Sequence, residues 1–253
     1  MSPAVVARSL RLSVGMLTCV PVRPVLEVTP ATALGALLAA PLAAVPLGTV
    51  VGLACWAGGE AALPTLAVAF VALGVLALGS RALHLDGLSD VADGLTASYD
   101  PERSLAVMKG GTAGPAGAAA LVVVLGTQAG ALATYVDDGV RGPVLAGLCV
   151  CASRAALWIV CASPVPPARP DGLGVTFARR VPVLVAVVGW LVLAGVAALA
   201  DPVRGPVTVV AAALVVVVLA WRCTRRFGGL TGDVFGAAIE IALAILLVGL
   251  AGT

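Results

Sequence analysis

Charged residues punctuate this chain so sparsely that its apolar runs stand out first. Stretches free of Asp, Glu, Lys and Arg occupy 28–59, 61–80, 110–136, 142–153, 155–168, 181–200, 205–221 and 241–253. Most approach the roughly 20 residues that a helix needs to cross a bilayer. Reading the last part of the fourth run through Arg154, the pattern predicts seven spans at about 33–56, 62–80, 117–136, 143–162, 182–200, 206–222 and 234–251. Because hydrocarbon offers no partner for an open backbone, the expected class is all-α, a polytopic integral membrane helical bundle.

Composition agrees: 60% of residues are hydrophobic, 11% are charged and mean hydropathy is +1.10, where a soluble domain averages about 25% charged. The net charge of +2 says little about partners, but its distribution says more. Arg8, Arg11 and Arg23 precede the first span; Arg81, Arg103 and Lys109 follow the second; Arg169, Arg179 and Arg180 follow the fourth; Arg222, Arg225 and Arg226 follow the sixth. The alternate loops hold only Arg141 and Arg204, and Arg154 lies inside a span. By the positive-inside rule the N-terminus is expected in the cytoplasm and the C-terminus outside.

No cleavable signal peptide is read in the first 21 residues, where Arg8 and Arg11 interrupt the apolar length. That segment is expected to lie in the membrane interface with Leu10, Val14 and Leu17 on one helical face. Six cysteines show no C-x-x-C or Cys/His spacing and read as small apolar filler. Without a repeat or a long polar linker, residues 1–253 read as one transmembrane domain. Nucleic acid is not an expected partner; the bilayer is.

Against this background the stretch HLDGLSDVADG at 84–94 is unusual, because Asp86, Asp90 and Asp93 fall within eight residues of a chain with 13 acidic side chains. On a helix they stand at i, i+4 and i+7, within roughly 60° of one another. Such a stripe repels itself unless a cation binds it. Oxygen-only ligands favour Mg²⁺ or Mn²⁺ over zinc, with water and substrate phosphates completing the shell. Gly87 and Gly94 let a bulky ligand approach the backbone. His84 is the only histidine, which removes paired-His metal sites, and no G-x-S-x-G accompanies it to suggest a serine hydrolase.

Two further clusters lie on the same predicted side. MKGGTAGPAG at 108–117 is a glycine-rich loop ahead of a span, whose N–H groups and Lys109 suit a phosphate. RRFGGLTGDVFGAAIE at 225–240 places Asp233 and Glu240 seven residues apart on one helical face, with Glu240 about 10 Å into the membrane. An ionisable group at that depth is expected to face a polar cavity, and Thr231 to cap the helix. Arg154 is expected either to pair with Glu240 or to reach an anionic substrate group. A carboxylate-held metal, cations and glycine loops on one side together suit transfer at a phosphate or diphosphate.

These stretches resemble the cobalamin synthase family, the adenosylcobinamide-GDP ribazoletransferases. HLDGLSDVADG is similar to the family's H-L-D-G-L-[AS]-D-x-x-D-G, and GGLTGDVFGAAIE at 228–240 to its G-G-x-T-G-D-x-x-G-A-A-I-E. LTCVPV at 17–22, Ser153-Arg154 and DGLGVTF at 171–177 are weaker matches in the same order. At 108–117 the chain departs from the family's M-[RK]-D-S-R-x-G-x-x-G: Met108, Lys109, Gly114 and Gly117 match, while Gly110 and Thr112 stand where Asp and Arg are usual.

The resemblance implies a Mg²⁺-dependent enzyme of the plasma membrane, with its site facing the cytoplasm. It joins adenosylcobinamide-GDP to α-ribazole or α-ribazole 5′-phosphate and releases GMP. Asp86, Asp90 and Asp93 would hold the metal, one of them acting as general base. His84, Lys109, Gly114, Arg154, Thr231, Asp233 and Glu240 would line the substrate site. A homo-oligomer, or association with other enzymes of cobalamin synthesis, is a further expectation. Two other classes share parts of this chemistry. A CDP-alcohol phosphotransferase also carries spaced aspartates, but no Ala-Arg pair follows Asp86-Gly87 as its D-x-x-D-G-x-x-A-R requires. An ion-coupled transporter could use the same acids and Arg154, though no inverted repeat is visible.

Overall fold

The computed structural model describes residues 2–252, and every regular element among them is a helix. The first, α1 (Pro3–Leu17), is the predicted N-terminal helix. It turns Ser9, Ser13 and Leu17 inward and leaves Leu10 exposed. Ser9 ties α1 to the next helix, its Oγ donating to the Thr32 carbonyl at 3.2 Å.

The first predicted span is broken into α2 (Pro30–Leu38), α3 (Ala40–Ala43) and α4 (Val45–Glu60). The cause is local. Pro41 and Pro46 have no N–H to continue the ladder and crowd the preceding turn, so each opens a new helix.

The second predicted span is α5 (Thr65–Gly79), and α6 (Leu83–Ala97) follows it at 92°. Arg81 and Ala82 make the corner, both in the left-handed region with φ of 58° and 53°. The Ala82 N–H donates to the Ala77 carbonyl and that of Arg81 to Leu78, which closes the end of α5 in a pattern glycine usually serves. After α7 (Pro101–Met108) come α8 (Pro115–Val136), α9 (Arg141–Ser153), α10 (Ala156–Val160), α11 (Gly172–Phe177), α12 (Val183–Ala197), α13 (Arg204–Phe227) and α14 (Gly232–Leu250).

Among the described residues four helices are long and apolar enough to cross a membrane: α8, α9 joined with α10, α13 and α14. The bent pair α5 and α6 makes a fifth when counted as one span. The protein is thus an all-α membrane protein. Leu184 and Leu191 of α12 and Leu214 of α13 are exposed, as on a lipid-facing surface.

Helix α14 runs through the centre. Its residues Val234 to Ala242 join a core with α1, α2 and α6, and Leu243 to Leu250 join a second with α4, α5, α8 and α9. Two glycines let α6 cross it closely. A Cβ at Gly236 would stand 2.8 Å from the His84 Cα, and one at Gly87 would meet the Asp233 backbone. With Gly94 against Phe227, the contacts descend as α6 ascends, so α6 lies antiparallel to the start of α14. This register brings the two acidic motifs face to face.

Candidate active site

Asp86 and Asp233 line one small cavity of about 130 Å³, together with His84, Met16, Leu83 and Leu173. Asp90 is half-buried one turn further along α6. The carboxylates of Asp86, Asp233 and Asp93 all act on it, and Arg169 is the opposing charge. Neither Asp86 nor Asp90 makes a side-chain hydrogen bond or ion pair among the described residues. Thr231 occupies the N-cap position of α14, but its hydroxyl donates to Asp233 Oδ2 at 3.0 Å instead of capping the helix. The expected cap is therefore an orienting contact on an acidic side chain.

Asp93 differs from its stripe-mates. It is buried, and its two oxygens accept the N–H groups of Gly114 (2.7 Å) and Gly117 (2.9 Å). The glycine loop thus turns those amides inward, onto a carboxylate of its own chain. Lys109 at the mouth of the loop lines a cavity of about 330 Å³ with Arg169, Asp171, Thr231 and Asp233. Asp233 and Leu173 border this cavity as well as the smaller one, which sets two cations beside the acidic centre.

Behind the cavity lies a buried polar group. Glu240 Oε2 accepts a hydrogen bond from Gln128 Nε2 at 2.8 Å, and the same amide reaches the Glu240 carbonyl at 3.1 Å. His84 Nδ1 stands 3.7 Å from Glu240 Oε1. Arg154 is fully buried and donates from Nη1 to the Val150 carbonyl (2.7 Å) and Ser153 Oγ (2.9 Å). No ion pair joins it to Glu240 among the described residues, so the expected partnership is a field across the core and not a contact.

Two residues at the site were not singled out for it by sequence. Gln128 is the only glutamine and the only long amide in an apolar run, a signal that a search confined to charges passes over. Arg169 reads in sequence as one topology cation among many, and only the fold of 163–181 brings it to Asp90.

The donor set suits a hard divalent ion. Among the described residues no three His, Cys, Asp or Glu side chains form a ready-made cage, but Mg²⁺ binds through one or two carboxylates plus water and phosphate. Asp86 and Asp90, unpaired beside Asp233, offer that, whereas Asp93 is already engaged by the loop.

A profile of the family described as cobalamin-5-phosphate synthase matches residues 9–251. The chain belongs to the cobalamin-5-phosphate synthase family. A relative from a Nocardioides species, named adenosylcobinamide-GDP ribazoletransferase, is 56% identical over 94% of this chain and 95% of its own. Relatives of the same name from Frankia casuarinae and Pseudomonas paraeruginosa are 37% and 36% identical, each over 96% of this chain and over 94% and 98% of their own. No solved structure matches the chain. The cobalamin-5-phosphate synthase match takes in α6, the glycine loop and α14 together, so the acidic motifs that face each other in the fold belong to one matched unit.

Proposed function

We propose that this protein is a membrane transferase that joins adenosylcobinamide-GDP to α-ribazole or its 5′-phosphate and releases GMP. The observation that carries the reading is the convergence of Asp86, Asp90 and Asp233 beside Lys109 and Arg169. Its acids suit a metal on a diphosphate and its cations suit the departing nucleotide. The N-terminal and loop arginines support a site facing the cytoplasm from the plasma membrane.

Asp86 and Asp90 would hold Mg²⁺ across from Asp233. The bound ion supplies charge neutralisation on the bridging and leaving oxygens of the diphosphate. Lys109 and Arg169 bind the guanylate side and so favour its departure as an anion. A ribazole hydroxyl oxygen attacks the phosphorus that bears the cobinamide. Its P–O bond forms as the P–O bond to GMP breaks, and the hydroxyl proton passes to a carboxylate of the stripe. Asp90 is the candidate base through a carboxylate oxygen left free of the ion, because it is only partly sheltered and makes no hydrogen bond of its own among the described residues. Asp93 positions the 109–117 loop, and Gln128 with Glu240 fixes the wall behind His84.

The test is GMP release by the purified protein given adenosylcobinamide-GDP, α-ribazole 5′-phosphate and Mg²⁺. Metal-dependent release that disappears in folded protein when Asp86→Asn and Asp90→Asn are combined is the expected result. Absence of release from well-folded wild-type protein would sink the reading.

A further inference from the structure

A third cavity, of about 440 Å³, adjoins the acidic centre and shares no charged residue with the one that Lys109 lines. Its charged lining is wholly cationic: Arg11 from α1, Arg23 from the connector after it and Arg81 from the corner between α5 and α6. Met16, Leu83 and Leu173 border both this cavity and the one that holds Asp86 and Asp233.

We propose that this arginine cavity is an anion subsite that binds the 5′-phosphate of the acceptor nucleoside. The proposal rests on the transferase reading above and assigns a place to the second substrate.

Three arguments support it. The arginines come from three separate segments and meet in one concavity, which a cytoplasmic charge bias alone does not require. None of them has an ion-pair partner among the described residues, and no acidic side chain lines the cavity. Arg81 is held at the cavity by a hydrogen bond from Nη2 to the Gly15 carbonyl at 2.7 Å. One of its five N–H donors is thus engaged by α1, and guanidinium geometry suits the bidentate capture of phosphate oxygens.

The location also fits the chemistry. The acceptor must present a hydroxyl at the acidic centre while its own phosphate stays away from those carboxylates. A cationic cavity separated from Asp86 only by Met16, Leu83 and Leu173 meets both demands. Leu173 borders all three cavities, and of the three only this one has a charged lining that is wholly cationic.

The experiment measures GMP release by the full-length protein in phosphatidylcholine nanodiscs, with adenosylcobinamide-GDP and either α-ribazole or α-ribazole 5′-phosphate. The readout is the ratio of kcat/KM for the phosphorylated acceptor to that for the free one. Arg81→Gln is expected to lower this ratio about tenfold, as loss of one charge-assisted contact does, with partial recovery in Arg81→Lys. Arg23→Gln, on an exposed connector, should lower it in the same direction and guards against a folding defect at the corner. A ratio unchanged in both variants, or equal losses for both acceptors, overturns the proposal.

A lipid headgroup carries the same phosphate chemistry, so the assay is repeated in phosphatidylglycerol discs. An Arg81-dependent gain in thermal stability on that lipid, without Arg81-dependent acceptor preference, assigns the cavity to lipid and also overturns the proposal. If wild-type protein releases no GMP from either acceptor, the transferase reading fails by itself. Direct titration of α-ribazole 5′-phosphate then decides the subsite, and equal affinity in wild type and Arg81→Gln removes it.

Discussion

Gln128 and Glu240, 112 residues apart, are joined side chain to side chain at 2.8 Å in the middle of the bundle. The amide is the donor that makes a carboxylate tolerable at that depth, because an unsatisfied buried acceptor bears its full desolvation penalty. Replacing Gln128 with Leu should lower stability by about 1–3 kcal/mol, through the acceptor left without its donor. Thermal unfolding in detergent measures this, and an unchanged midpoint would remove Gln128 from its assigned role.

Asp93 and Asp90 stand on one stripe yet should behave differently. Asp93→Ala frees the Gly114 and Gly117 amides. Hydrogen exchange over residues 109–117 should then quicken about tenfold or more, since each lost bond was to a charged acceptor. Asp90→Ala should leave that exchange alone and raise the Mg²⁺ requirement instead. Identical exchange profiles for the two variants would dissolve the distinction.

Chelating divalent ions should abolish GMP release, and restoring Mg²⁺ should recover it. Asp86→Asn and Asp233→Asn should each raise the Mg²⁺ concentration for half-maximal rate about tenfold, the effect of roughly 1.4 kcal/mol in ion affinity. Full turnover in chelator would argue that the stripe serves a purpose other than metal binding.

The close crossing of α6 over α14 depends on Gly236 and Gly87. Gly236→Val should destabilise the protein by about 1–3 kcal/mol or more, because the added atoms meet the His84 backbone, which cannot rotate away. Gly74→Ala on α5 is the control, since a Cβ there meets nothing within 4 Å. Equal melting behaviour of the two variants would refute the account of the crossing.

Much of this was legible in the linear pattern. Charge-free runs of bilayer length dictate helices wherever the backbone must satisfy itself in hydrocarbon, and α8, α13 and α14 lie where the runs place them. The i, i+4, i+7 spacing likewise determined that Asp86, Asp90 and Asp93 share a helix face. Prolines 41 and 46 and the left-handed pair Arg81-Ala82 act through geometry that hydropathy averages out, so the break in the first predicted span and the sharp corner after the second were not legible there. Tertiary structure alone decided the roles within the stripe. Which aspartate meets a loop amide and which faces Asp233 depends on the antiparallel register of α6 on α14, and that register follows from where glycines allow two backbones to touch. The partners of Glu240 and the meeting of Arg11, Arg23 and Arg81 were decided the same way, because a one-dimensional pattern records that a polar group is buried but not which distant residue satisfies it.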